Sequence, residues 1–229
     1  MVSCRSIDRV LAVLHRELVD AVVVDVRTVG ASSVLSLVES FPAIPLFALS
    51  AFRPDDGCLI AECLDGGVAG MLVQGVDDGI VGELLMANSA SRRRREALAS
   101  APRILRLTET LQQDAWNEVL DSVGQSTTTS DIARKLGRTR EYVSREFAAG
   151  GAPNLKRVID LVRAAWAADL LRNPGYTVRT VSEILQFSSP SHLAGCAERI
   201  AGVAAADLED LGPKGVLQRF RRGRTRSRL

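Results

Sequence analysis

Two domains of different class are predicted: an α/β domain over residues 1–90 and an all-α domain over residues 103–210. Three observations carry this expectation. Short apolar runs ending at Asp25, Ser50 and Gln74 recur at intervals of about 25 residues and alternate with segments of helical period. Beyond residue 102 the apolar spacing stays helical, with no convincing strand as far as Leu208. The charge changes sign as well: residues 1–90 carry 5 Lys/Arg against 12 Asp/Glu, and residues 91–229 carry 24 against 15. The overall charge of +2 on 229 residues therefore joins an acidic module to a basic one suited to a polyanion.

The first half alternates between two periods. Residues 6–18 set Val10, Leu11, Val13, Leu14 and Leu18 at helical spacing, and Ala21, Val22, Val23, Val24 and Asp25 follow as a buried strand ended by an acid. Residues 33–40 then form a short helix, and residues 44–50 a strand whose Pro45 is confined to its start. The third unit is a helix over residues 58–64 and a strand over 70–73, and a helix over 78–88 closes the series. Short connections rich in Gly, Pro and Asp fit a parallel sheet covered by helices.

Composition narrows the class of function. A hydrophobic content of 46% and a charged content of 24% exclude general disorder and a fibrous fold. Cys4, Cys58, Cys63 and Cys196 lack paired zinc spacing, and only His15 and His192 could complement them, so neither a metal nor a cofactor is expected. No leader pattern opens the chain and no apolar stretch approaches 18 residues, which predicts a cytoplasmic protein with reduced thiols and no membrane partner.

Arg92, Arg93, Arg94 and Arg95 lie in an expected helical linker over residues 91–102. Helical spacing resumes with Ile104, Leu105, Leu107, Leu111, Ala115, Val119 and Leu120. Residues 129–137 read as a short helix ending in Gly137, which can take positive φ, and residues 138–147 begin a second. Ala133 is small where the two would cross, and Ile132, Leu136, Tyr142, Val143 and Phe147 are the expected shared core. Arg140, Glu141, Ser144 and Arg145 remain on the outer face, of types that reach base edges, with Arg138 and Thr139 at the start beside phosphate. Residues 154–172 form a long amphipathic helix with Leu155, Val158, Ile159, Val162, Trp166 and Leu170 on one face. A second short helix (177–185), a turn (186–190) and another helix (191–200) follow. Residues 211–229 are expected to be a disordered basic tail, with six arginines in residues 219–228.

Two helix-turn-helix units joined by one long helix resemble the DNA-binding domain of the AraC/XylS family of bacterial transcription regulators. The residues carrying the resemblance are Ile132 and Ala133 with Leu136 and Gly137, Tyr142 to Arg145 with Phe147, the linker helix from Leu155 to Leu171, and Phe187 to Leu193. It implies base reading by Glu141, Ser144 and Arg145 with Arg140 close by; Lys156, Arg157 and the basic tail are expected to meet phosphates. Double-stranded DNA and RNA polymerase would be the partners, in the nucleoid. The second unit departs from the pattern: Gln186 stands for the turn glycine, Gly195 for a basic residue, Ala197 for a core phenylalanine and Ala204 for a proline. Only Ser189, Ser191, His192 and Ala194 stay near the reading face, so the first unit and the tail are expected to supply most of the affinity. His192 reads equally well as a partly buried structural histidine.

Residues 1–88 resemble a response-regulator receiver, a flavodoxin-like fold, here lacking its first strand and helix. Asp25 falls at the phosphoacceptor position, Ser50 at the hydroxyl position and Gln74 where that family has lysine. Phosphoryl transfer to Asp25 needs a divalent cation and a positive charge, neither of which these residues supply. The preferred reading is a pseudo-receiver used for sensing or for homodimerisation through residues 1–90, its sheet rearranged, completed by another chain or completed by residues upstream of Met1. The overall expectation is a sequence-specific transcription regulator and not an enzyme. Its rivals are a phosphorylation-controlled regulator using Asp25 and a non-DNA module that pairs with a related regulator.

Overall fold

The computed structural model describes residues 1–226, with side chains to Arg222. The protein is mixed α/β, mostly helical, with one small parallel sheet, and it divides into two compact units. Unit 1 comprises Met1–Arg93 with Arg172–Gly175, and unit 2 comprises Arg94–Leu171 with Tyr176–Leu229.

Unit 1 begins with α1 (Ile7–Leu14), whose N-cap Ser6 accepts from the Arg9 amide at 3.3 Å. The strands are β1 (Val22–Asp25), β2 (Leu46–Ser50) and β3 (Gly70–Val73), parallel and in the order β1-β2-β3. Register pairs Val22 with Leu46, Asp25 with Leu49 and Ser50 with Val73. Parallel neighbours need crossovers, supplied by α2 (Val26–Val29) and α3 (Ala31–Ser40) after β1 and by α4 (Gly57–Asp65) after β2. Central β2 buries Leu46, Phe47, Ala48 and Ser50, which explains its unbroken apolar run. Val24, Val26, Val34, Leu37, Cys63 and Leu72 complete the core. The buried Asn173 accepts from the Ala43 amide at 2.8 Å, and His15 Nε2 lies 3.1 Å from the Gly175 carbonyl. Gly175 is required there, since a Cβ would fall 2.6 Å from the Phe41 ring. The unit continues into α5 (Val81–Ala87) and the start of α6 (Ala90–Ala97).

The segment expected as a helical linker consists of the rest of α6 and the start of α7 (Ala101–Leu105) around a turn at residues 98–100, and the division between the units falls inside it. From Arg94 onward its residues belong to unit 2, where Leu98, Ala101 and Leu105 are fully buried. Arg94 is 1% exposed and pairs with Asp169 at 2.6 Å. The four arginines thus have separate environments, because a helix turns residue 94 inward and leaves residues 92 and 93 outside.

Beyond α7 (Ala101–Leu105), α8 (Thr110–Asp121) packs against the short pair α9 (Thr129–Lys135) and α10 (Arg140–Phe147). The long α11 (Leu155–Leu170) follows, then α12 (Val178–Ile184), α13 (Pro190–Ala201) and α14 (Leu208–Arg226). The expected single apolar face on α11 is a correction: Leu161, Ala164, Ala165, Ala167 and Ala168 are buried as well as the predicted stripe. A helix that buries apolar residues on more than one face must be packed on more than one side, and α8, α12, α13 and α14 all pack against it. The expected disordered tail is corrected for the same reason. Residues 211–226 are helical, broken only at Gly212 (φ 57°) before Pro213, and Val216, Leu217 and Phe220 are buried in α14 packed along α11. Residues 227–229 lie outside the described residues.

Candidate nucleic-acid interface

Local sequence determines how α9 and α10 meet. Thr128 caps α9 by accepting from the Asp131 amide at 3.3 Å, and Asp131 reaches back to the Thr128 amide at 3.0 Å. The Thr128 hydroxyl, bonded at 2.7 Å, is the main cause holding the Asp131 carboxyl below the usual carboxylate range. Gly137 (φ 63°) ends the helix: its amide donates to the Arg134 carbonyl at 3.0 Å and the Arg138 amide to Ala133 at 2.9 Å. Two residues on, Thr139 caps α10, accepting from the Tyr142 amide at 3.3 Å. Val143 and Phe147 are fully buried, as are Ile132 and Ala133 to within 1%.

This arrangement leaves Arg138, Thr139, Arg140, Glu141, Ser144 and Arg145 exposed at the start and along the outer side of α10. Tyr142 requires a correction, since it is 40% exposed and not part of the core. Residues 143 and 147 already point inward, and position 142 lies about 100° round the helix from 143. Its ring carries Arg138 and Arg145, their guanidinium carbons 5.9 and 5.7 Å from the ring centre. An aromatic residue four after one arginine and three before another was the available sequence signal. Arg145 also pairs with Glu146 at 3.0 Å, both ends exposed.

Gln112 was not anticipated either. It is 1% exposed, accepts from the Thr108 and Glu109 amides at 2.9 and 3.1 Å, and donates to the Phe147 carbonyl at 2.9 Å. It therefore ties the end of α10 to the start of α8. Lys135 attaches α9 to α8 through the Ser122 hydroxyl at 2.8 Å and Glu118 at 3.4 Å.

The second pair, α12 and α13, repeats this backbone. Thr177 caps α12, Gln186 takes φ 56° where Gly137 stands in the first pair, and the Phe187 amide donates to Ser182 at 2.8 Å. Ser189 caps α13 and accepts from the His192 amide at 3.1 Å. Arg163 of α11 supports the turn, donating to the Leu185 carbonyl at 3.0 Å while stacking 3.7 Å from the Phe187 ring centre. His192 is half-buried, edge-on to Phe187 at 5.3 Å and 3.0 Å from the Ser188 hydroxyl, whereas Ser191 is exposed. The cation of α13, Arg199, faces Asp160 at 3.5 Å. Buried beneath, the Cys196 thiol is pushed up to about 12 by desolvation. Lys156 and Arg157 are exposed at the start of α11, and Arg157 lies 5.0 Å over the Phe220 ring of α14.

In unit 1, Asp25, Ser50 and Gln74 meet at the carboxyl edge of the sheet, where the Gln74 amide donates to the Ser50 carbonyl at 3.0 Å. Asp25 caps α2, taking the Thr28 hydroxyl at 2.7 Å and the Arg27 amide at 3.1 Å. The Thr28 hydroxyl is the leading cause of its lowered pKa. Arg27 is bound by Asp56 through contacts of 2.7 and 2.8 Å. Among the described residues no group of three or more His, Cys, Asp or Glu could hold a metal ion, and no helix is long and apolar enough to cross a membrane. Compared with protein-family models, curated proteins and solved structures, the chain matches none.

Proposed function

We propose that the protein is a sequence-specific DNA-binding transcription regulator that reads the major groove with α10. The observation that carries this reading is the exposed stripe of Arg140, Glu141, Ser144 and Arg145 on a helix whose opposite side is buried and whose start is capped by Thr139. Arginine and serine on a fixed helix match the donors that base edges accept, and Arg138 beside the N-cap suits phosphate. Unit 2 is then a tandem helix-turn-helix domain of AraC/XylS type, with α9/α10 and α12/α13 as its two units. Ser189, Ser191 and His192 contribute few contacts, Lys156 and Arg157 meet phosphates, and RNA polymerase is the further partner.

Unit 1 is a degenerate receiver in this reading, used for homodimerisation or sensing. In support, the Asp25 carboxylate already has local donors in Thr28 and Arg27, and Arg27 is engaged by Asp56. Incubation with a small phosphodonor and magnesium should leave the intact mass unchanged. An adduct lost in Asp25→Asn would overturn that part.

The main test is a selection of genomic fragments by the purified protein, followed by titration of a selected duplex and a scrambled one. Arg145→Ala should weaken the selected duplex by about 1–3 kcal/mol and the scrambled duplex much less. Equal losses on both would overturn the assignment.

A further inference from the structure

Beyond the Gly212 break, α14 divides cleanly by side. Val216, Leu217 and Phe220 are at most 2% exposed, whereas Lys214, Gln218, Arg219, Arg221 and Arg222 are all exposed. Residues 211–229 contain seven Lys/Arg and no Asp/Glu. We propose that the exposed side of α14 is a binding surface for the phosphate backbone of double-stranded DNA, independent of base sequence, which deepens the DNA-binding reading above and rests on it.

Three features favour this occupant. The first is charge density. Lys214 to Arg222 covers about 12 Å of helix at 1.5 Å per residue. A duplex offers about seven phosphate charges over that length. A segment whose own sequence carries cations and no acid suits that line of charge better than it suits a protein surface of mixed sign. The second is the fate of the apolar side. An amphipathic cationic helix binds an anionic membrane by inserting its apolar face, but here that face is already buried in α14 packed along α11. The third is position. α14 packs against both α13 and α11. The start of α13 exposes Ser191 and Ala194 without a cation, and Arg199 faces Asp160 at 3.5 Å. Arg157, exposed at the start of α11, lies 5.0 Å over the Phe220 ring and adds a cation beside α14. α14 therefore supplies to the second helix pair the charge that α13 lacks, with side chains suited to phosphates and not directed at bases.

The test compares the full chain with the fourfold change Lys214→Gln, Arg219→Gln, Arg221→Gln and Arg222→Gln, and with a variant in which the three arginines become lysine. Binding to a selected and a scrambled duplex is titrated across salt. Each phosphate neutralised contributes about 0.9 to the slope of log K against log salt. The fourfold variant should have a slope shallower by about two to four and bind both duplexes about ten- to a hundredfold more weakly near 0.1 M salt. The lysine variant should stay near the parent, and circular dichroism should match in all three. An unchanged slope with the fourfold variant, or a loss confined to the selected duplex, would overturn the proposal. So would equal loss in the lysine variant, which would place the effect in packing, or weakened binding to phosphatidylglycerol vesicles with duplex binding intact. Should the fourfold variant be silent while Arg145→Ala still relaxes specificity, only this inference falls. A parent chain without salt-dependent duplex binding removes both.

Discussion

The pairs α9/α10 and α12/α13 meet the same backbone requirement with different residues. Each opens with a seven-residue helix capped by threonine, and each turn closes through paired amide–carbonyl bonds around a residue of positive φ. The inward positions stay small or apolar: Ile132 and Ala133 in one, Val181 and Ser182 in the other, all at most 1% exposed. The outward positions diverge completely. α10 presents Arg140, Glu141, Ser144 and Arg145, and α13 presents Ser191, Ala194 and Gly195. Packing thus holds both turns to one shape, while surface chemistry, which packing does not constrain, leaves the exposed charged stripe on the first pair.

The largest expected effect breaks the support of the first pair. Gln112→Ala strands the Phe147 carbonyl in a buried setting and removes the acceptor of the part-buried Thr108 and Glu109 amides, and should cost about 2–4 kcal/mol. Denaturant unfolding would measure it, and a loss under about 1 kcal/mol would mean that α10 is held by other contacts. The binding effect of Arg145→Ala comes next, at the discrimination given above. The corresponding outer change on the second pair, Ser191→Ala, should leave duplex affinity within about twofold, well short of the 1–3 kcal/mol of a base contact.

The turns themselves provide a sharper comparison. Gly137→Ala forces a Cβ into φ 63° and should destabilise by about 1–2 kcal/mol. Gln186→Gly relieves the same conformation and should stabilise by about 1 kcal/mol. Opposite signs in thermal unfolding check the equivalence of the two turns, and a destabilising Gln186→Gly would refute it. The smallest effect is pH-dependent. The Asp131 pKa is lowered by the Thr128 hydroxyl, so its contribution is present above the unfolded carboxylate value near 4 and is lost as pH falls through the folded value. The corresponding position in α12 is Thr180, which does not titrate in that range. Amide exchange should therefore rise in α9 before α12 on acidification, and Asp131→Asn should abolish the difference.

Much of this organisation is legible in the residues themselves. The strand ending at Ser50 could be read because the central parallel strand is buried on both faces and forms an unbroken apolar run, whereas the edge strands β1 and β3 were legible from their short apolar runs and their spacing from it. The first turn could be read because Gly137 is the residue that left-handed backbone favours. Gln186 gives no such signal, and its turn depends on Arg163, which comes from α11. α14 was not legible because Val216, Leu217 and Phe220 are interleaved with arginines. They pack along α11, whose further buried residues beyond the apolar stripe are mostly alanines, too small to register as a second stripe. Tyr142 borders buried Val143 in sequence but not on the helix surface, so its apolar neighbour suggests a core place that the helix does not give it.

The central claim, that α10 reads sequence, is tested most directly by titrating the selected and scrambled duplexes with the parent chain and with Arg145→Ala from about 50 to 200 mM salt. The account predicts that the parent prefers the selected duplex at every salt concentration, and that Arg145→Ala shrinks this preference by about 1–3 kcal/mol while barely altering the salt slope on scrambled DNA. A preference that is absent in the parent, or unchanged in Arg145→Ala, would contradict it.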